Sequence, residues 1–379
     1  MRTGVALMGL LFATTNAVGG AEISVADGGT SVGSFTAIAR GTDGLGLISY
    51  YDADQGHLKV RHCSNASCAA GTGAVVDDDG LVGLDTSIAI GTDGRGLISY
   101  LDYTHDHLKV AHCADARCSH ATSATVDSAG AVGAFTSITV GADGLGLISY
   151  FDHTNEHLKV AHCSDPACSA ATTGTLDSER GVGAMTSITL GSDGLGLVSY
   201  LDYTNGDLKV LHCSNVACST GTTARVDTAG IVGDSSSIKI GPDRLALISY
   251  RDATNNTLKT AHCLDVTCST ATTATVDGGL GTISDPTSLQ VGADGLGLIS
   301  YLDGSQRHLK VAHCLDPSCS AATVATLDAS ARVGFYPSVM VGADGLALIS
   351  YFDETNEHLK VAHCSTAPCM PLPEEVQKQ

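Results

Sequence analysis

The sequence has no tryptophan, few aromatics of any kind (6 Phe and 11 Tyr in 379 residues), and half as many basic as acidic side chains. Twenty Lys and Arg against 40 Asp and Glu give a formal charge of -20. That charge excludes nucleic acid and anionic membrane surfaces as partners, because a polyanion would be repelled at long range. Glutamate is scarce as well: 7 Glu stand against 33 Asp. Short carboxylates suit turns, caps and hard cations, whereas solvated helix faces favour Glu. Beyond the N-terminus no stretch has helical periodicity, and no apolar run approaches the ~20 residues of a membrane span. What the chain holds instead is 44 Gly and 14 Cys, a mixture that describes many tight turns between short strands.

Residues 1–20, MRTGVALMGLLFATTNAVGG, combine a single basic residue, Arg2, with an apolar stretch and small residues Ala17 and Gly19 near the end. This is the pattern of a secretory signal peptide and predicts a secreted or periplasmic protein. Such a setting suits the cysteines, since disulfides persist in oxidising compartments. Residues 370–379 read as a polar tail.

Self-comparison organises the rest. The dipeptide His-Cys starts at 62, 112, 162, 212, 262, 313 and 363, a period of 50 with one extra residue between the fifth and sixth copies, placed between Asp277 and Gly292. Ser-Tyr-x-Asp recurs in step, with Tyr50, Tyr100, Tyr150, Tyr200, Tyr250, Tyr301 and Tyr351. Within one copy, TSITV, LGLISYF, HLKVAHC and ATTGTL read as four strands, parted by GADG, DHTNE and the residues between the two cysteines. Four antiparallel strands per 40–50 residues is the pattern of a β-propeller blade. The last copy lacks a fourth strand, and AEISVAD at 21–27 matches that strand in register. The expectation is therefore an all-β, seven-bladed propeller over residues 21–369, closed when the N-terminal strand completes the last blade, which removes the open sheet edges.

All the cysteines fall in His-Cys-x4-Cys units: Cys63 and Cys68, Cys113 and Cys118, Cys163 and Cys168, Cys213 and Cys218, Cys263 and Cys268, Cys314 and Cys319, Cys364 and Cys369. Two readings compete. A zinc or copper site would use both thiolates and the histidine, but each unit falls short of four ligands, and neighbouring His and Cys side chains alternate across the strand. A disulfide within each unit is the better reading for an even cysteine count in an exported chain. The histidines then read as hydrogen-bonded structural imidazoles.

One face of such a propeller carries the turns from second to third strand and the connections between blades. On it fall Asp52, Asp102, Asp152, Asp202, Asp252, Asp303 and Asp353 at the DHTNE-type turns. It also holds Asp77, Asp127, Asp177, Asp227, Asp277 and Asp328, with Asp27 for the closing blade, at the ends of fourth strands, and loops of about ten residues of type DSAGAVGAFT. This acid-rich face is the expected binding surface, with these aspartates as candidate ligand contacts. The same residues also suit Asx-turns. No cofactor and no dedicated metal site are indicated; the oxygen-rich loops suit at most weak calcium binding, because no D-x-[DN]-x-[DN]-G loop is present. A loop of four places Tyr150 opposite Lys159 and Asp152 opposite His157. Repeated in every blade, this pairing reads as an interblade layer, or as seven weak pockets that would bind with avidity.

The stretch GADGLGLISYFDHTNEHLKVAHC resembles the repeats of secreted bacterial β-propellers of uncharacterised role, in which runs of the type ISYYDxTNxDLKYA recur. It is more loosely similar to NHL-type repeats and to sialidase-like propellers. The sialidase resemblance implies Asp-boxes ending in Trp, an arginine trio for a carboxylate, and a tyrosine nucleophile with a glutamate. Here Trp is absent, the arginines are scattered, and the tyrosines repeat as a core layer does. The residues therefore point to a non-catalytic, monomeric binding or scaffold module for a carbohydrate or cell-surface protein. A sialidase-like glycan hydrolase or lyase is the second reading and metal binding through His-Cys-x4-Cys the third. Departures from symmetry are few: Tyr336 and Pro337, Asp285 and Pro286, Arg251, and Asp207 and Thr257 where other blades have His. In sequence they do not converge on one blade.

Overall fold

A computed structural model describes residues 20–281 and 285–371. The leader expected at 1–20 therefore lies outside the described residues except for Gly20, as does the tail beyond residue 371. Among the described residues every regular element is a strand, and no helix is long and apolar enough to cross a membrane. The strands form seven four-stranded antiparallel sheets arranged in a ring. The first blade runs through Val32–Arg40, Gly46–Asp52, His57–Cys63 and Gly71–Asp77. The seventh takes Val333–Val341, Ala347–Asp353 and His358–Cys364, and its outer strand is Ala21–Asp27 from the other end of the chain. Closure by the N-terminal strand is thus observed, with Ala21 opposite Cys364.

The second strands show why the repeat folds this way. Leu147, Ile148, Ser149 and Tyr150 are all fully buried, so LISY is a continuous buried run covered on both faces rather than an alternating strand. The core lies between blades: Leu97, Leu108 and Val110 of one blade pack with Val132, Ile138, Ile148 and Ala161 of the next. At ~1.5–3 kcal/mol for each large aliphatic side chain removed from water, these interblade layers are the main hydrophobic term. Fourth strands, such as Ala171–Asp177, are largely exposed, in keeping with their Thr, Ser and Ala content.

One expectation is corrected. In every blade but the sixth, whose connection between Asp277 and Ser288 keeps its ten residues, the ten-residue loops are only four residues long, because the first strand already begins at Val132 and runs to Val140. Two register shifts hide it, one between Val132 and Ala134 and one between Ala134 and Ser137, with Gly133 and Phe135 at positive φ. A Cβ at Gly133 would lie 2.8 Å from the Leu108 backbone, so the bulge needs glycine both for its φ of 99° and for the close approach. Alternation is broken twice within five residues, and the strand looks like a loop.

All seven disulfides are present, Cys63–Cys68 through Cys364–Cys369, each joining a third strand to the loop before the fourth, with Cα separations of 4.7–5.0 Å. Among the described residues no cysteine is free, and no group of three or more His, Cys, Asp or Glu is placed to hold a metal ion.

Candidate functional site

The aspartates that end the fourth strands sit between blades, buried at Asp77, Asp127, Asp177, Asp227 and Asp328 and half-buried at Asp27 and Asp277. Tyr150 lies opposite Lys159 in the predicted register. Its hydroxyl donates to Asp127 Oδ2 of the preceding blade at 2.6 Å, and Lys159 Nζ donates to the same oxygen, with the ammonium 5.6 Å from the centre of the Tyr150 ring. The same latch joins Asp27 to Tyr50 and Lys59, Asp77 to Tyr100 and Lys109, Asp177 to Tyr200 and Lys209, Asp227 to Tyr250 and Lys259, Asp277 to Tyr301 and Lys310, and Asp328 to Tyr351 and Lys360. Burial alone would raise the Asp127 pKa, but the donated bonds from Lys159 and Tyr150 outweigh it and hold the carboxyl below its ordinary value. Burial and the adjacent carboxylate push the Tyr150 phenol far up, so it stays a donor.

The aspartates of the DHTNE-type turns are equally internal. Asp52, Asp102, Asp152, Asp202, Asp252, Asp303 and Asp353 are each no more than 9% exposed. Each accepts the backbone N–H three residues on, as Asp152 does from Asn155 at 3.0 Å, and Asn155 Nδ2 donates to its second oxygen at 2.9 Å. The candidate residues thus form two internal rings rather than an open acidic surface. The acid load is also not confined to this face. The GADG turns of the opposite face carry Asp43, Asp93, Asp143, Asp193, Asp243, Asp294 and Asp344, each accepting a hydrogen bond from Nε2–H of the His before the blade's first Cys at 2.7–2.9 Å. The histidines are therefore structural, and their partners are residues that sequence reasoning had left as simple turn formers.

A site of different character opens on the axis. The first strands of all seven blades enclose a cavity of about 430 Å³. Much of its wall is committed hydroxyl chemistry: Thr36 donates to Ser350, Thr136 to Ser99, and Thr186 pairs with Ser149, each bridging neighbouring blades at 2.7–2.8 Å. The seventh blade departs from this, because Pro337 replaces the threonine and leaves the fully buried Ser300 Oγ without a partner.

The position before that hydroxyl differs in nearly every blade: Phe35, Asp85, Phe135, Met185, Ser235, Pro286 and Tyr336. The Phe35 and Tyr336 rings lie 4.5 Å apart. Asp85 is enclosed by protein, which pushes its carboxyl up despite the 2.7 Å bond it accepts from Phe135 N–H. Asp285 lies beside Tyr336; burial, with Glu354 and Asp234 nearby, raises it to about 6. Arg251 reaches across to Asp234 at 3.1 Å. Tyr336, Pro337 and Pro286, dispersed along the sequence, line the axial cavity in blades six and seven, with Asp285 accepting from the Tyr336 N–H and Arg251 held at Asp234, next to the lining residue Ser235. Asp207 and Thr257 stay at the outer turns. Sequence reasoning missed Phe35, Asp85, Phe135, Met185 and Lys239; the available signal was a hypervariable column inside an otherwise uniform repeat.

No protein-family model matches the chain, and no curated protein matches it. Solved structures do resemble it in fold. An intramolecular trans-sialidase from Ruminococcus gnavus aligns over 95% of this chain and 99% of its own with a TM-score of 0.51 at 10% identity. The leech intramolecular trans-sialidase aligns over 95% of this chain and 71% of its own with a TM-score of 0.53, also at 10% identity. The dihydro-heme d1 dehydrogenase NirN covers 84% of this chain and 64% of its own at 13% identity, with a TM-score of 0.51. Neighbours with such different chemistry share the ring of blades, and the likeness is one of fold alone.

Proposed function

We propose that this chain is a non-catalytic, extracellular binding module that takes one compact saccharide in its axial cavity. The observation that carries the reading is the contrast in symmetry. The Asp-Tyr-Lys latches, the Asx turns and the His-Asp pairs repeat and are internally bonded, whereas the column lining the axis changes from blade to blade. Aromatic faces at Phe35, Phe135 and Tyr336 suit the C–H faces of a sugar, and Asp85 and the seryl wall supply acceptors and donors for its hydroxyls. A glycan array probed with the oxidised protein, with and without calcium, tests this. Glycan binding that is lost in Phe35→Ala and Tyr336→Ala supports it; silence on the array together with turnover of a chromogenic glycoside overturns it.

The second reading, a glycan hydrolase, draws on Asp285 beside Tyr336 at the cavity wall, since an acid raised to about 6 suits general acid catalysis. Two features weigh against it. The described residues lining the cavity include no arginine. Burial and nearby carboxylates also raise Tyr336 to about 12, which keeps its phenol protonated and a poor nucleophile.

A further inference from the structure

Nine lysines occur in the chain. Seven are the latch lysines, each bonded to a carboxylate, and Lys378 lies outside the described residues. The remaining one, Lys239, is on the first strand of the fifth blade, opposite Leu247, and lines the axial cavity. At the same position the other blades have Ala39, Ala89, Thr139, Thr189, Gln290 and Met340. Among the described residues Lys239 makes no hydrogen bond and no ion pair. It is enclosed by protein, and this desolvation alone pulls its pKa down, with no carboxylate close enough to offset it. The side chain nevertheless keeps partial exposure, because it borders the cavity and not packed core. A cation in a dehydrated place without a counter-charge is costly, and a protein that pairs every other described lysine leaves this one open. Beside it, at the equivalent level of the sixth blade, Gln290 also lines the cavity; its carbonyl is used by the Val291 N–H at 3.0 Å, which leaves its amide N–H groups as further donors.

We infer that the axial cavity takes an anionic ligand, whose acidic group is bound by Lys239 with Gln290 as second donor. This rests on the reading of the cavity as the binding site and narrows its ligand to an acidic saccharide, with a carboxylate or sulfate group at the lysine and the sugar body toward Phe35 and Tyr336. Charge is sufficient for one such group, since a single ammonium and an amide match a monoanion.

The test is NMR titration of the full oxidised chain, following the Lys239 ammonium and the channel methyl groups, with glucuronate, glucose and inorganic sulfate as probes. Lys239→Met and Lys239→Arg serve as variants, with thermal unfolding as the folding control. Glucuronate is expected to bind at least ~10-fold more tightly than glucose, Lys239→Met to erase that difference, and Lys239→Arg to retain it. Sulfate is expected to perturb Lys239 and to compete with glucuronate. Equal affinity for glucuronate and glucose, or preference for glucuronate that persists in Lys239→Met, overturns the inference. If sulfate and glucuronate perturb Lys239 but no sugar body adds affinity, the saccharide reading fails and the anion site stands. If neither anion perturbs Lys239, the anion site fails, whatever the array finds.

Discussion

Lys159 and Lys239 lie in the same ring of blades and do opposite things. Lys159 is one of seven copies; its ammonium is neutralised by Asp127 and rests near the Tyr150 ring. Lys239 has no copy, and its charge has no partner among the described residues. The first belongs to a frame in which the same Asp, Tyr and Lys bonds recur in every blade. The second belongs to an axis where the repeat has been allowed to diverge. In a symmetric protein, then, an abundant titratable residue marks structure, and the solitary one marks the place where something external must complete the bonding.

The comparison breaks most completely if the frame is removed. In the chain-entropy account a disulfide closing so short a loop is worth roughly 2 kcal/mol, so reducing all seven is expected to cost about 14 kcal/mol at most. The measure is the denaturant midpoint with and without reductant, and an unchanged midpoint would show that the loops are held by other contacts. Next in size is the latch itself. Asp127→Ala leaves a buried ammonium and phenol without their acceptor and is expected to lose about 3–5 kcal/mol, whereas Lys239→Met in the ligand-free protein should change stability by under ~1 kcal/mol, of either sign. Comparable losses in the two variants would erase the distinction.

Acid sharpens it further. Despite their burial, Asp127 and Asp177 are held below the ordinary carboxylate range by the bonds from their Lys and Tyr partners, so their stabilisation is complete above the unfolded value of ~3.9 and is lost as pH falls through the lowered folded values. Asp285, raised to about 6, acts in the opposite sense: its contribution is present at low pH and is lost as pH rises through 6. Stability is therefore expected to peak near pH ~4 and to fall as pH rises from there to about 6, and Asp285→Asn should flatten that decline while leaving the acid side. Unfolding midpoints across pH 2 to 8 decide it. The smallest effect concerns the wall of the channel. Ser99→Ala removes the acceptor of the Thr136 hydroxyl and should cost about 1 kcal/mol, while Ser300→Ala removes a hydroxyl that has no partner and should be neutral or slightly stabilising.

The frame was legible in the sequence because it repeats. A fixed period, a split blade at the termini and a four-residue turn between Asp152 and His157 were enough to place Tyr150 opposite Lys159, since antiparallel register follows from loop length. The first strands were less legible, because the double bulge at Gly133 and Phe135 destroys alternation. The pairing of His162 with Asp143 bridges 19 residues across a sheet, and no local rule connects them. The channel was hidden for a further reason: whether residues 35, 85 and 239 face the axis depends on closure of the whole ring. Their divergence was visible as letters that differ between copies, but only the ring brings Tyr336, Asp285 and Arg251 into one neighbourhood.

The central claim is that one axial site, and not seven interblade sites, receives the ligand. Methyl-resolved NMR with a saccharide from the glycan array measures this directly. The account predicts shifts confined to Ile38, Ile88, Ile138, Ile188 and Met185, all following a single saturation curve. Shifts spread over the interblade leucines Leu58, Leu108, Leu158 and Leu208, in several equivalents, would contradict it.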